Sequence, residues 1–210
     1  MKTKLAICCI ALLALAMSSA LAQSVKIDVA DCTASSELGD TNATYVDNLK
    51  DDFLIDGSGL TDGEHTSVFW SESMWLTDGT ADPTPTVTFD LGAVYTVDSF
   101  RVWNYNDAYG DAAANGVNGV TVEYGTTVAL GATVAGITNF AQAPGADGYT
   151  GELFDTFTSF EARYIMFDIS STHSGGGGGG LAEVEFYGVG AGGDEGEGEG
   201  EGEGAPEAGE

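Results

Sequence analysis

The segment TVTFDL, residues 86–91, alternates polar and apolar side chains, so that Val87, Phe89 and Leu91 point to one side of an extended chain. VTVEY, residues 120–124, repeats this two-residue period. Such a period is typical of a strand that is buried on one face only. No sustained helical period occurs between residues 23 and 189. This part of the chain is therefore predicted to be all-β.

Further strand candidates combine β-branched and aromatic residues: Val25–Val29, Val68–Trp70, Ser99–Asn106, Val128–Val134, Arg163–Ile169 and Ala182–Tyr187. Turns are predicted at Asp78-Gly79, Asp90-Leu91-Gly92 and Asp147-Gly148, and a short helical turn near Tyr45–Lys50. About eight strands with hairpin and longer connections predict an antiparallel β-sandwich of jelly-roll type.

The first 22 residues have the pattern of a signal peptide. Lys2 and Lys4 precede an apolar run from Leu5 to Met17, and Ala20-Leu21-Ala22 supplies small residues around a cleavage point. The alternative is a membrane anchor, but the run is shorter than the roughly 20 residues that span a bilayer. We expect export and cleavage after Ala22, with no membrane insertion once the signal is removed. Cys32 would then be the only remaining cysteine, which excludes an internal disulfide.

Residues 190–210 form the other appendage, in which glutamate alternates with glycine. Like-charge repulsion and high backbone entropy prevent such a segment from packing into a core. A disordered acidic tail or linker is therefore predicted, and residues 23–189 are left as the single folded domain.

The chain is strongly acidic, with 33 Asp and Glu against six Lys and Arg and a formal charge of −27. Nucleic-acid binding needs a basic patch, so a nucleic-acid partner is not expected. The self-repulsion would be relieved by salt or by bound cations such as calcium.

Six strings occur in a characteristic order: LIDGSGL (54–60), MWL (74–76), FDLGAVYTVDSFRVWNYN (89–106), NFAQAPGADGY (139–149), ARYIMFDI (162–169) and GLAEVEFYG (180–188). Together they resemble the discoidin domain, also called the coagulation factor V/VIII type C domain, in its secreted bacterial form. The resemblance covers most of residues 33–188 and implies a galactose-binding-like jelly roll.

The resemblance also implies a structural Ca2+ ion. The family's site resembles Asp56 and Ser58, the carbonyl of Phe53, Ala182-Glu183, and a threonine that is either Thr66 or Thr61. Carboxylate, hydroxyl and carbonyl oxygens are the ligands that Ca2+ prefers. The alternative is that Asp56-Gly57 forms a simple turn and that Glu183 is a solvated carboxylate.

Sugar-binding relatives present aromatic and polar side chains on loops at one end of the sandwich, where aromatic rings stack on pyranoses. The candidates here are His65, Trp75, Tyr109, Asn115, Tyr149 and His173. Trp75, like Trp103 and Tyr105, has a core position as its alternative. Two positions depart from the family pattern. Asn115 stands where relatives often have arginine, and His173, where they often have an aromatic residue, precedes the glycine run Gly175–Gly180, which is costly to order.

Catalysis has little support from the sequence. It contains two histidines, no G-x-S-x-G elbow and no H-E-x-x-H motif. We therefore expect a non-catalytic module that is stabilised by Ca2+ and binds a polysaccharide or cell-surface glycan. The alternative is a structural or adhesive surface protein that uses the sandwich for protein contacts. The expected location is secreted or at the cell surface, with the periplasm as the alternative.

Overall fold

The computed structural model describes residues 23–38, 48–67 and 73–191. The predicted signal peptide, the strand Val68–Trp70 and most of the acidic tail lie outside these residues. The described strands are β1 (Val25–Ile27), β2 (Asp31–Ala34), β3 (Leu60–Thr61), β4 (Glu64–His65), β5 (Trp75–Leu76), β6 (Thr86–Asn104), β7 (Val120–Gly125), β8 (Ala132–Thr133), β9 (Glu152–Phe154), β10 (Phe160–Ile169) and β11 (Gly180–Gly190). Two 3-10 turns span Asp51–Leu54 and Ala112–Asn115.

All the strand pairs are antiparallel, as predicted. The main sheet runs in the order β1-β11-β6-β10-β7-β8, and β2 and β9 also pair with β6. The long β6 is therefore shared by most of the sandwich: its first half pairs with β2 and β10, and its second half pairs with β11 and β9. The all-β jelly-roll prediction is confirmed.

The turn predicted at Asp90-Leu91-Gly92 is wrong, because β6 continues through these residues. Opposite β10 the register steps from Asp90↔Tyr164 to Tyr95↔Ala162, so residues 91–94 form a bulge. Gly92 has φ +78°, and its amide donates to the Asp90 carboxylate at 2.8 Å. Asp90 and Gly92 therefore make contacts typical of a turn, but here they form a bulge that bends one strand instead of a turn that joins two strands.

The alternating apolar face of residues 86–91 lies in the core. Val87, Phe89 and Leu91 are buried, and the Phe89 ring meets Phe167 and Phe186 edge-on at centroid distances of 5.2 and 5.1 Å. These rings come from β6, β10 and β11, so the core joins three neighbouring strands. Edge-to-face contacts of this kind add to the free energy of apolar burial.

Two local predictions differ from the structure. The expected strand Val128–Val134 is reduced to Ala132–Thr133, and Val128 is 79% exposed. The helical turn predicted near Tyr45–Lys50 falls partly on residues 45–47, which lie outside the described residues; Lys50 is extended, and the described 3-10 turn spans Asp51–Leu54. Among the described residues, no helix is long and apolar enough to cross a membrane.

Candidate functional site

Two adjoining cavities of about 410 and 200 Å³ form a cleft. They share Leu38, Leu76 and Asn115 as lining residues. The remaining lining residues are Thr77, Asp78, Gly79, Thr80, Thr172, Gly177 and Gly179 in the larger cavity, and Leu49, Tyr105, Asp107, Tyr109 and Ala112 in the smaller one.

One wall of the larger cavity is made by the glycine run that the sequence predicted to be costly to order. A Cβ on Gly177 would lie 2.7 Å from the Cβ of Pro83, and a Cβ on Gly178 would lie 2.7 Å from Cγ2 of Thr77. The Gly178 amide donates to the Pro83 carbonyl at 2.8 Å. Glycine is thus needed because the run packs backbone-first against residues 77–83.

The smaller cavity presents an aromatic side chain beside a carboxylate. Tyr109 is 63% exposed, whereas Asp107 is buried. The Asp107 carboxylate accepts from the Tyr109 amide at 2.8 Å and from the Tyr105 hydroxyl at 3.3 Å. These bonds hold the loop that carries Tyr109 at the rim of the cleft. An exposed ring in a cleft that Asn115 also lines is suited to a sugar, which has apolar C–H faces and hydroxyl groups.

Asn115 ends the 3-10 turn Ala112–Asn115 and is exposed between the two cavities. The next residue, Gly116, is held on both sides, since its carbonyl accepts from the His173 amide and its amide donates to Ala113. An asparagine side chain can both donate and accept hydrogen bonds. Of the six predicted ligand-binding residues, Tyr109 and Asn115 line this cleft.

His65 and Tyr149 form a separate pair that does not line the cleft. Their backbones make an antiparallel bridge, with the His65 amide donating to the Tyr149 carbonyl at 2.7 Å. His65 is fully buried, and burial lowers the pKa of its imidazole. Tyr149 is half-buried, and its hydroxyl accepts from the Asn104 amide at 3.3 Å.

The other two predicted ligand residues also lie away from the cleft surface. Trp75 is 0% exposed, and its indole N–H donates to the Ser36 carbonyl at 3.0 Å, so it has no face for a sugar. The half-buried His173 has its Nε2 3.1 Å from the Phe140 carbonyl oxygen, while its neighbour Thr172 lines the cleft. Trp75 therefore occupies a core position, which was the alternative predicted from the sequence.

Cleft residues that the sequence did not single out include Leu38, Leu76, Thr77, Thr80, Asp107 and Thr172. Asp78 and Gly79 had been recognised only as a turn. Apart from Leu76, which ends the MWL string, no motif marks these residues, because each is an ordinary loop or strand-end side chain. They become cleft residues only because the fold brings together parts of the chain that are distant in sequence.

A second cluster surrounds Glu183, which lies on β11 and is 0% exposed. Its Oε2 accepts from the Gly57 amide at 3.0 Å. Its Oε1 and the Oγ of Ser58 are buried and have no hydrogen-bond partner among the described residues. Burial raises the pKa of Glu183 to about 8. Two orphaned oxygens on adjacent elements fit a cation that prefers oxygen ligands.

The other predicted calcium residues extend this cluster. Asp56 is exposed, its carboxylate accepts from the Ser58 amide at 2.7 Å, and its charge contributes to the raised pKa of Glu183. Ala182 lies in a bulge, since Leu181 pairs with Asn104 and Glu183 with Trp103. A bulge leaves its extra residue out of the ladder, which frees that backbone for other contacts.

Phe53 and Thr66 lie before and after the Asp56 loop in the sequence. Phe53 is half-buried in the 3-10 turn Asp51–Leu54, which leads into the Asp56 loop. Thr66 is exposed, and its amide donates to the Gly59 carbonyl at 2.9 Å, so it flanks the same loop. Asp28, which the sequence did not single out, lines a cavity of about 150 Å³ together with Asp56 and Gly57.

Within the part of the chain that the structure describes, no three His, Cys, Asp or Glu side chains are grouped as a metal site. A cation at the Glu183 cluster would therefore depend on hydroxyl and carbonyl oxygens in addition to its carboxylates. This donor set fits Ca2+, which accepts backbone carbonyls and hydroxyls, better than it fits Zn2+, which favours His and Cys.

Among the solved structures of similar fold are carbohydrate-binding modules. CpGH89CBM32-5 from Clostridium perfringens, in complex with GalNAc-beta-1,3-galactose, has a TM-score of 0.55 at 16% identity, covering 77% of this chain and 99% of that one. The family 32 CBM of C. perfringens NanJ, in complex with galactose, has a TM-score of 0.51 at 17% identity, covering 79% and 99%.

Truncated AlyQ, which has CBM32 and alginate lyase domains, gives a TM-score of 0.52 at 21% identity over 80% of this chain. The present chain spans 34% of that protein. At these identities the likeness shows the fold. No curated protein sequence matches the chain.

The sequence itself matches one family over residues 59–167, a range that runs from the Gly59 loop through the cleft segments at Leu76–Thr80 and Tyr105–Asn115 to β10. That family is described as the NedA-like, galactose-binding domain of F5/F8 type C. The discoidin-like resemblance carried by the six sequence strings is thereby confirmed, and the chain belongs to the F5/F8 type C family of galactose-binding-like domains.

Proposed function

We propose that this protein is a secreted, non-catalytic carbohydrate-binding module and that the cleft around Tyr109 and Asn115 is its glycan site. The observation that carries the proposal is the exposed Tyr109 ring, whose loop is held by the buried Asp107 carboxylate, in a cleft that the exposed Asn115 also lines. This combination offers a stacking face and hydrogen-bonding groups within one cleft. Structures of the same fold in complex with galactose and with GalNAc-beta-1,3-galactose support the assignment.

The proposal includes a structural Ca2+ ion at the Glu183 cluster. Asp56, Ser58 and Glu183, with the backbones of Phe53 and Ala182 and the nearby Thr66, would hold it. When bound, Ca2+ would neutralise the buried carboxylate and satisfy the orphaned oxygens of Ser58 and Glu183. The ion would thereby stabilise the junction of the Asp56 loop with β11. It has no role in catalysis in this proposal.

Export of the protein would bring such a module into contact with glycans outside the cell. The apolar start of the chain and its small-residue cleavage point support secretion. In the mature protein the acidic residues 190–210 would act as a solvated spacer. The ligand would then be a polysaccharide or a glycan at a cell surface.

A glycan array with the mature chain, residues 23–210, tests the glycan proposal in Ca2+ and in EDTA. We expect Tyr109→Ala and Asn115→Ala to weaken binding by about tenfold or more, because each removes about 1.4 kcal/mol or more of contact. Val128→Ala is the matched control, since it truncates an exposed apolar side chain that does not line the cleft. Silence of the wild type across the array would contradict the proposal and favour a structural or adhesive protein.

A further inference from the structure

We infer that the cleft selects neutral glycans and rejects acidic ones such as uronic acids and sialylated or sulfated sugars. This inference rests on the proposed glycan-binding function and narrows its ligand class. It follows from the positions of the four Lys and Arg side chains that the structure describes, together with the carboxylates of the cleft.

The sequence contains six Lys and Arg residues, of which Lys2 and Lys4 belong to the predicted signal peptide. The other four, Lys26, Lys50, Arg101 and Arg163, all lie among the described residues. None of the four lines either cavity of the cleft. Residues 39–47 and 68–72, which the structure does not describe, contain no Lys or Arg. The mature chain therefore has no cationic residue left to place in the cleft.

Three of the four cations are paired with carboxylates elsewhere. Lys26 Nζ lies 2.6 Å from Glu185, and Lys50 Nζ lies 2.6 Å from Glu37. Arg163 makes a two-pronged pair with Asp90, at 2.8 and 2.9 Å. Moving any of them to a ligand would leave a partner carboxylate unpaired in a protein that is already highly acidic.

Arg101, the fourth cation, is also held away from the cleft. Its Nη1 donates to the Thr150 carbonyl at 2.7 Å, and its guanidinium lies 5.6 Å from the centroid of the Trp103 ring. The histidines do not substitute for it. His65 is fully buried with a lowered pKa, and Nε2 of His173 is at the Phe140 carbonyl.

The side chains lining the cleft that are charged near neutral pH are acidic. Asp78 belongs to the larger cavity and the buried Asp107 to the smaller one. An acidic sugar would lose hydration beside these carboxylates without gaining a counter-charge, which is unfavourable. Neutral hydroxyl groups can donate to the Asp78 carboxylate and can exchange hydrogen bonds with the Asn115 amide, whereas Asp107 is buried and already accepts from Tyr109 and Tyr105. The long-range field of the acidic chain acts in the same direction.

Matched sugar pairs test the inference directly. Galactose and galacturonate oligosaccharides of equal length, and glucose and glucuronate oligosaccharides, differ within each pair only at C6. Calorimetric titration of the mature chain at 20 and 300 mM NaCl, in Ca2+ and in EDTA, should show neutral binding about tenfold or more tighter than acidic binding at low salt. The difference should shrink at high salt, where exposed charges are screened.

Variants that add one positive charge distinguish the effect of the cleft from the effect of the net charge of the protein. Asn115→Arg places a guanidinium between the two cavities and should strengthen binding of the acidic member of the bound pair by about tenfold or more. Asn139→Arg adds the same charge at an exposed position outside the cleft and should change acidic binding far less.

The outcomes are distinguishable. Equal or tighter binding of an acidic sugar by the wild type, in Ca2+ or in EDTA, would overturn the inference and leave glycan binding standing. An equal gain from Asn139→Arg and Asn115→Arg would also overturn it, because the rejection would then come from net charge and not from the cleft. Failure of both members of every pair to bind, together with no binding by the wild type across the glycan array, would overturn the proposed function and this inference with it.

Discussion

The Gly57 amide donates to Oε2 of Glu183 at 3.0 Å, across 126 positions of sequence. This bond joins the early Asp56 loop to the last strand of the sandwich. It satisfies one oxygen of a fully buried carboxylate, and Oε1 remains without a partner among the described residues. The junction is therefore a structural link that still contains an unpaired buried oxygen.

Calcium should raise the stability of this junction. At a hundredfold excess over its dissociation constant, a ligand specific to the native state contributes about 2.7 kcal/mol. For a domain of this size we expect the melting temperature to rise by roughly 5–10 °C relative to EDTA. Glu183→Gln should abolish that rise. In EDTA at pH 8 it should melt no lower than the wild type, because a neutral amide replaces a buried carboxylate.

Glu161→Gln is the control for this calcium experiment, because Glu161 is an exposed carboxylate on β10. It should keep the full response to calcium. Identical wild-type melting curves in Ca2+ and EDTA would contradict the metal site.

The glycine run that lines the cleft predicts very different losses of stability for alanine substitutions at two neighbouring glycines. Gly177→Ala should destabilise the protein by about 1–3 kcal/mol, because its Cβ would lie 2.9 Å from the Cα of Pro83. Gly176→Ala should be close to neutral, because its nearest contact would be the Ser174 hydroxyl at 3.4 Å. Urea unfolding of both variants measures the contrast. Equal losses of stability in the two variants would contradict the importance of the close contact between Gly177 and Pro83.

The Asp90–Arg163 pair gives a pH dependence. The hydrogen bond from Arg163 lowers the pKa of Asp90 to about 2, from an ordinary value of 3.8. Because the folded-state pKa is depressed, the pair contributes stability above about pH 4 that is lost as the pH falls towards 2. Asp90→Asn should lower the urea midpoint at pH 6 and converge on the wild type near pH 2. A midpoint difference that persists unchanged to pH 2 would contradict this account.

Trp75 tests whether a sequence-predicted ligand residue acts in the core. Trp75→Phe removes the hydrogen bond to Ser36 and part of a buried side chain, so it should cost about 1–3 kcal/mol of unfolding free energy. Glycan affinity should be unchanged in the folded variant, since Trp75 has no exposed surface. Loss of glycan binding by a correctly folded Trp75→Phe variant would contradict the core position and indicate that Trp75 contributes to the ligand site.

The strands of the core were predictable because a strand's side-chain period is local. The alternation at residues 86–91 and 120–124 requires only that every second side chain face the interior. The predicted calcium residues were likewise named from motif strings, and the structure brings Asp56, Ser58 and Glu183 together. The bulge at residues 91–94 was mistaken for a turn, since the same glycine and aspartate serve both arrangements.

The sequence alone determined the all-β class of the fold, its family and the scarcity of cations, because each of these is a property of local pattern or of composition. Only the tertiary structure decided that Tyr109 and Asn115 meet Leu38, Asp78 and Gly177 in one cleft, while His65 and Trp75 are buried elsewhere. The physical reason is that a cleft is made of segments far apart in the chain. Their meeting depends on the register of the strands that carry them, which no single segment encodes.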